Sequence, residues 1–216
     1  MFDLPLFPLN TVMFPGAPLN LYIFEPRYRL LVRECLSTET PFGVVLIKQG
    51  VEAGGPLARP YEIGCSVHIQ NVEPLPDGRM NILVIGGERF RTEAYSHAKS
   101  YLVGRVENYP FDNPNSPVVQ AAALNLRPHV ENYVRLLTHA SDSQFDMTQL
   151  PTDALKLGFV GALILQTSPA QKQTLLEIPD APTYMQTLTA LFRTETALLR
   201  VVLQRENDIK RTSHLN

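Results

Sequence analysis

The chain has 216 residues, a formal net charge of −2 and a 44% share of hydrophobic residues. That length is enough for one or two folded domains with cores of ordinary size. Basic and acidic residues are spread evenly along the chain, without the basic stripe typical of nucleic-acid binding, so we expect no nucleic-acid partner.

The cysteine content and the N-terminus indicate the compartment. Two isolated cysteines, Cys35 and Cys65, fit a reducing environment better than a disulfide framework. The first residues (MFDLP) lack the basic start and apolar run of a signal peptide. No stretch approaches the roughly 20 apolar residues of a membrane helix. We therefore expect a cytoplasmic protein with no membrane partner.

Residues 1–110 have the pattern of β-structure. Leu19, Leu21 and Ile23 alternate with more polar or aromatic neighbours, which is typical of a half-buried strand. A Pro-Asp-Gly turn at 76–78 separates two such segments, and the glycine pair at 86–87 is predicted to end the second. Strands are predicted at residues 19–24, 42–47, 65–70, 80–85, 89–95 and 102–106.

Short strands separated by turn signals indicate a barrel or a sandwich rather than a parallel sheet. One helix interrupts them, because apolar residues recur at helical spacing over 26–36 and Pro26 suits a first turn. Residues 50–60 are rich in glycine, proline and alanine and are predicted to form a long exposed loop.

The pattern changes after residue 110. Residues 111–117, which contain two prolines and two asparagines, are predicted to be a linker. Residues 118–216 then carry helical periodicity, with a capping-box pattern of Ser168 and Gln171 ahead of one helix. The predicted architecture is α+β, with a β-domain at 1–110 followed by an α-helical bundle at 118–216.

Several motifs, in their order and spacing, resemble the N-terminal domain family of Lon proteases. The first is LPLFPL at 4–9, followed by FPG at 14–16 and LYIFEPRY at 21–28. The later motifs are EIGC at 62–65, LPDGR at 75–79 and VIGGERFR at 84–91.

This resemblance implies a PUA-like β-barrel followed by α-helices. In full-length Lon proteases the region helps to select unfolded or tagged polypeptides and contributes to assembly. The resemblance therefore implies a free-standing family member whose partners are unfolded or partly exposed polypeptides, or a protein complex. The oligomeric state is left open.

The sequence predicts no catalytic machinery. It contains no G-x-x-x-x-G-K-[ST] loop to hold nucleotide phosphates. Lys99 and Ser100 are adjacent, but neighbouring side chains in a strand or turn point apart and do not form a Ser–Lys pair. We expect a protein that is not an enzyme.

No cofactor or metal is predicted. Cys65 and His68 are three residues apart in a predicted strand, so their side chains project to opposite faces. The glycine pairs do not form a dinucleotide fingerprint. Cys35 falls on the apolar stripe of its predicted helix, which indicates a buried structural thiol.

The leading hypothesis is that the protein binds exposed apolar segments of other polypeptides. Such binding needs accessible apolar surface and unpaired strand edges. Candidate contacts are three apolar side chains near predicted turns, Met13, Phe14 and Met80. The main alternative is an adaptor or assembly module that docks on a separate protease through its long C-terminal helix. A third hypothesis, a hydrolase, would require a pocket containing a group with a perturbed pKa.

Overall fold

The computed structural model describes residues 1–52, 58–141 and 145–213, without the side chains of 140–141 and 206–213. Part of the predicted loop at 50–60 lies outside these residues. Within the described ranges, no helix combines the length and apolar character needed to span a bilayer.

The described residues form seven β-strands, five α-helices and two short 3-10 helices. The strands are β1 (Phe2–Leu9), β2 (Pro18–Ile23), β3 (Phe42–Gln49), β4 (Arg59–Pro60), β5 (Ile63–Pro74), β6 (Met80–Ser96) and β7 (Leu102–Asn108). The α-helices are α1 (Pro26–Thr38), α2 (Pro117–Ser141), α3 (Ala154–Ile164), α4 (Pro169–Glu177) and α5 (Ala181–Ser213). The α+β prediction is confirmed, with β-structure first and most of the helices second.

Five of the strands close into a barrel. Antiparallel pairing runs from β1 through β7, β6 and β5 to β3, and β3 then pairs with β1 in parallel. Strand β2 lies outside this ring and pairs with the first half of β6. The barrel interior is filled by aliphatic side chains around one aromatic ring, namely Leu4, Leu6, Val45, Phe90, Leu102 and Val106.

Strand β6 continues where the sequence predicted an end. Gly86 and Gly87 lie within it, and its 17 residues pair with β5, β2 and β7. The prediction that the glycine pair ends the strand is wrong. The N–H of Gly16 donates to the Gly86 carbonyl (2.8 Å) and the N–H of Gly86 donates to the Ala17 carbonyl (2.9 Å). Gly86 therefore marks a close approach of two main-chain segments inside a continuous strand.

The chain divides into two compact units whose sequences interleave. The barrel unit comprises Met1–Phe111 and Ser168–Pro179, and the helical unit comprises Asp112–Thr167 and Asp180–Asn216. This differs from the predicted division into 1–110, a linker at 111–117 and a bundle at 118–216, because α4 clusters with the barrel. Its capping box of Ser168 and Gln171 is present as predicted.

Helix α4 is held to the barrel by side chains that hydrogen-bond to main-chain carbonyls. The guanidinium of Arg89, which is buried, donates to the carbonyls of Leu176 (2.8 Å) and Ile178 (2.6 Å) at the C-terminal end of α4. In the other direction, the buried Gln173 amide donates to the Ile63 carbonyl (3.0 Å). Cations that bind the last carbonyls of a helix also interact favourably with its dipole.

The helical unit contains α2, α3 and α5 around its own apolar core. The rings of Tyr133 and Phe192 meet edge to face, with centroids 5.4 Å apart. The Tyr184 hydroxyl donates to the Gly158 carbonyl (3.0 Å), so its one polar atom is satisfied inside the core.

Candidate functional site

The three predicted contact residues lie in the interior of the barrel unit. Met13 is 4% exposed, Phe14 is 1% exposed and Met80 is 7% exposed. Side chains this deeply buried contribute to the core and offer almost no surface to a partner. Any apolar contact surface of the barrel unit must therefore be formed by other residues.

An exposed aromatic pair follows the outer side of β2. Tyr22 and Phe24 are 47% and 48% exposed, and their rings stack with centroids 5.6 Å apart. Side chains alternate across a strand, so these rings share a face with Asn20, whereas Ile23 faces inward and is buried. We call Asn20, Tyr22 and Phe24 the aromatic edge.

The main chain of β2 is also open on one side. Among the described residues β2 pairs only with β6, so it is an edge strand. The Gly86 N–H donates to the Ala17 carbonyl. Alternation along this antiparallel pair then directs the N–H and C=O groups of Asn20 and Tyr22 away from β6. Unpaired groups of this kind are a template for an added strand.

Two clefts adjoin the aromatic edge, and Tyr22 and Phe24 line both of them. The first, of about 290 Å³, lies between the ends of β1 and β2 and the start of α1. Its walls combine apolar side chains with two carboxylates, and it is lined by Phe7, Leu9, Asn20, Leu21, Tyr22, Ile23, Phe24, Glu25, Tyr28 and Glu52. The second, of about 440 Å³, is lined by Tyr22, Phe24, Arg29, Asp77 and Arg79.

The second cleft is ordered by contacts of Arg79. Its Nε donates to the Asp77 carboxylate (2.8 Å), and its guanidinium carbon lies 5.8 Å from the centre of the Tyr22 ring. A terminal nitrogen of the same guanidinium, Nη1, donates to the Tyr22 hydroxyl. The hydrogen bond from Arg79 holds the pKa of Asp77 below its ordinary value. Tyr22 is therefore held in place by the turn between β5 and β6.

A third cleft of the barrel unit has a different character. It measures about 400 Å³, and its lining includes three tyrosines, three cationic side chains and the carboxylates of Glu62 and Glu177. Two of its cations already stack on its own rings, with Arg91 4.4 Å from the centre of Tyr109 and Lys48 5.5 Å from that of Tyr61. Charges of both signs line this cleft and cations cover two of its three rings, so it is less apolar than the two clefts beside the aromatic edge.

The remaining polar clusters are explained by structure. Lys99 donates to Glu34 on α1, and the Tyr101 hydroxyl donates to the same carboxylate oxygen. These two bonds lower the pKa of Glu34 and tie the loop before β7 to α1. Burial raises the pKa of the Cys65 thiol to about 12, and it also raises the pKa of Cys35. Within the part of the chain that the structure describes, no three potential metal ligands come together.

Comparison with known proteins decides the family. Residues 3–194 match the family model described as the substrate-binding domain of the ATP-dependent protease La (Lon). The chain belongs to this Lon substrate-binding domain family. The family expectation drawn from the sequence motifs is thereby confirmed.

Curated relatives include two proteins named Lon protease 2. The one from Syntrophobacter fumaroxidans is 26% identical over 204 residues, which is 93% of this chain and 25% of the relative. The one from Herpetosiphon aurantiacus is 23% identical over 97% of this chain and 26% of the relative. The chain thus spans about a quarter of the length of these Lon proteases.

Two solved Lon-family structures share the fold. A Lon N-terminal domain protein from Xanthomonas campestris superposes with a TM-score of 0.65 and 30% identity, covering 88% of this chain and 98% of that one. The N-terminal domain of the Mycobacterium avium complex Lon protease gives a TM-score of 0.69 at 16% identity, covering 89% of this chain and 98% of that one. At 16% identity the second comparison bears on the fold alone.

Proposed function

We propose that this protein is a non-catalytic module that binds exposed segments of other polypeptides along the aromatic edge of β2. The observation that carries the proposal is the coincidence of exposed apolar rings with an unpaired strand edge. Membership of a substrate-binding domain family supports the same class of ligand.

An added strand suits ligands of variable sequence. Main-chain hydrogen bonds to the outer groups of Asn20 and Tyr22 do not depend on the side chains of the bound segment. The adjoining clefts then accept alternate side chains, since those project from one face of a strand. This arrangement provides affinity through the main chain and modest selectivity through the clefts.

The two rings can supply a useful share of the binding energy. Burial of about 100 Å² of each ring would contribute roughly 2 kcal/mol per ring. Part of that gain is offset by the ordering of the bound segment, so affinities in the micromolar range are expected.

The experiment compares matched aromatic substitutions. A fluorescent, reduced and carboxymethylated lactalbumin serves as an unfolded ligand, and its anisotropy is titrated with the full chain. The double substitution Tyr22→Ser and Phe24→Ser should weaken binding by at least about tenfold, because it removes most of the apolar surface of the edge. The control is Phe2→Ser, a ring of similar exposure (47%) on β1.

Two results would contradict the proposal. One is the absence of association between the wild-type protein and unfolded lactalbumin at about 100 μM, a concentration far above micromolar dissociation constants. The other is equal weakening by Phe2→Ser, which would show that any exposed ring serves as well as the aromatic edge.

A second candidate function is an adaptor that docks through α5. It is favoured by Leu198, Val201 and Val202, which are exposed on this helix although large and apolar. An adaptor should retrieve one partner in constant proportion from cell extract, whereas a chain-binding module should retrieve a heterogeneous set. Retrieval that depends on Leu198 and Val202, and not on Phe24, would favour the adaptor.

A further inference from the structure

The two clefts beside the aromatic edge differ in charge. Beside the turn at 76–78, three arginines gather, namely Arg29 and Arg33 of α1 and Arg79, which directly precedes β6. We call these three residues the basic cluster. A Cβ built on Gly78 would lie 2.5 Å from one terminal nitrogen of Arg29 and 3.0 Å from one of Arg33, so both guanidinium groups reach this turn.

The basic cluster has an excess of positive charge. Among the described residues that line the second cleft, Asp77 is the one carboxylate, and it is already paired with Arg79. The Nε of Arg29 is buried and makes no hydrogen bond within the described part of the chain. Three arginines thus lie beside one carboxylate, and the buried N–H at Nε of Arg29 has no hydrogen-bond acceptor among the described residues.

The first cleft has the opposite balance. Glu25 and Glu52 line it. Glu25 is paired with Arg27 (3.0 Å), whereas the Glu52 carboxylate accepts from the neutral amide of Asn10 (2.9 Å) and keeps its negative charge unopposed by that contact. A segment lying along the edge would therefore have an acidic cleft and a basic cleft beside it.

We propose that the aromatic edge selects polypeptide segments in which an acidic residue lies within about two positions of a large apolar side chain. This inference rests on the proposed function and deepens it. The apolar side chain packs on Tyr22 and Phe24, and the carboxylate pairs with the basic cluster.

The spacing follows from strand geometry. Tyr22 and Phe24 are two residues apart, and strand residues rise about 3.3 Å each, so the rings span about 7 Å along the edge. An acidic residue one or two positions from the apolar side chain then reaches the guanidinium groups. Planar guanidinium groups suit carboxylates, because their paired donors match two acceptor oxygens.

The expected preference is modest and sensitive to salt. The cluster is largely open to water, where single ion pairs change affinity by factors of a few. The Debye length falls from about 10 Å at 0.1 M salt to about 3 Å at 1 M, so the preference should fade over this range.

The test uses three labelled peptides that share one apolar core and carry aspartate, serine or lysine beside it. With the full wild-type chain at low salt, the aspartate peptide should bind about fivefold more tightly than the serine peptide, and the lysine peptide more weakly than both. Arg33→Gln and Arg79→Gln should each reduce the difference. The matched control is Arg105→Gln, an exposed arginine on β7 of the same unit.

The outcomes separate this inference from the proposed function. Equal binding of all three peptides by the wild-type chain would overturn the charge preference and leave polypeptide binding intact. Binding of none would overturn both. Thermal melts check that each variant is folded, and since Arg33 is exposed its substitution serves even if Arg79→Gln is destabilised. An equal loss with Arg105→Gln would assign the effect to overall charge and overturn the inference.

Discussion

At Gly86 the main chain of β6 closely approaches the turn at 14–17. A Cβ built on it would lie 2.1 Å from the carbonyl oxygen of Phe14, a distance no real side chain tolerates. Because glycine has no side chain, the main chain of the turn at 14–17 can form hydrogen bonds directly with β6. It also explains why Phe14 is buried, because this turn is pressed onto the sheet and does not project from it.

Substitution of this glycine should destabilise the barrel unit. We expect Gly86→Ala to lower the free energy of unfolding by at least about 2 kcal/mol, since the main chain must move to admit the methyl group. Urea denaturation measures the change. The control is Gly16→Ala, which meets no atom within 4 Å and is disfavoured only by its φ of +76°, at a cost of about 1 kcal/mol. A smaller loss for Gly86→Ala than for Gly16→Ala would contradict the close approach.

Part of the candidate binding site could be predicted from the sequence. The alternation of Leu19, Leu21 and Ile23 placed Tyr22 and Phe24 on the opposite face of the same strand. That pattern predicted the strand and its two faces, but the predicted contacts were Met13, Phe14 and Met80, and the aromatic edge was not predicted as a site. Apolar residues beside a turn are ambiguous in sequence, because a turn that packs on a sheet through long-range hydrogen bonds has the same composition as an exposed one.

At the scale of elements, one buried cation holds α4 to the barrel. Arg89 binds two carbonyls at the end of the helix, and its guanidinium carbon lies 3.5 Å from the centre of the Phe111 ring and 4.9 Å from that of Tyr109. Hydrogen bonds from a charged donor inside a protein are stronger than neutral ones. Arg89 thus connects a strand to a helix that lies far along the chain.

Removal of this cation should loosen α4. We expect Arg89→Met to lower the free energy of unfolding by about 2–3 kcal/mol, because two carbonyls lose their donor. Hydrogen exchange should accelerate over Pro169–Glu177 more than elsewhere. The control is Arg91→Met in the same strand, whose exposed ion pair with Glu107 (3.9 Å) is expected to matter little. Unchanged protection of α4 in Arg89→Met would refute the assignment.

Elements were predicted unevenly for identifiable reasons. The helix at α1 and several strands followed from periodicity alone. Strand β1 was not predicted as a strand, because Pro5 and Pro8 interrupt it and proline ordinarily marks strand edges or breaks. In the structure Pro5 pairs with Val103 and Pro8 with Val45, so both prolines lie within the ladder register. Tertiary pairing outweighs local preference here.

At the scale of the whole molecule, two buried groups make the free energy of unfolding decrease as the pH rises in the alkaline range. Burial raises the pKa of Cys65 from 9.0 to about 12 and that of Tyr28 from 10.0 to about 12. In the unfolded chain both groups would ionise nearer their ordinary values. Their contribution to stability is therefore complete below about pH 9 and is lost as the pH rises towards 12.

Urea denaturation between pH 8 and pH 11 measures this loss. Above pH 9 the Cys65 thiol alone should lower the free energy of unfolding by about 1.4 kcal/mol per pH unit. Cys65→Ala should be less stable at pH 8 but should lose stability less steeply as the pH rises. If both proteins show the same slope, Cys65 is not the group responsible.

At this scale the sequence predicted the family and the order of β-structure before helices. The interleaving of the units was not predicted. The capping box of α4 looks like that of any bundle helix, whereas its partners, Arg89 and the Ile63 carbonyl, lie about a hundred residues away. Local signals specify that a helix forms, and contacts between distant residues specify where it packs.

The interleaving has a consequence for synthesis on the ribosome. The barrel strands emerge first, but the carbonyls that receive Arg89 belong to residues translated only after α2 and α3. Until then Arg89 lacks the two carbonyls that accept its hydrogen bonds, and the surface that α4 covers in the folded protein is exposed. The packing around Arg89 must therefore wait for a later portion of the polypeptide, so an isolated fragment ending at Phe111 would be a poor substitute for the barrel unit.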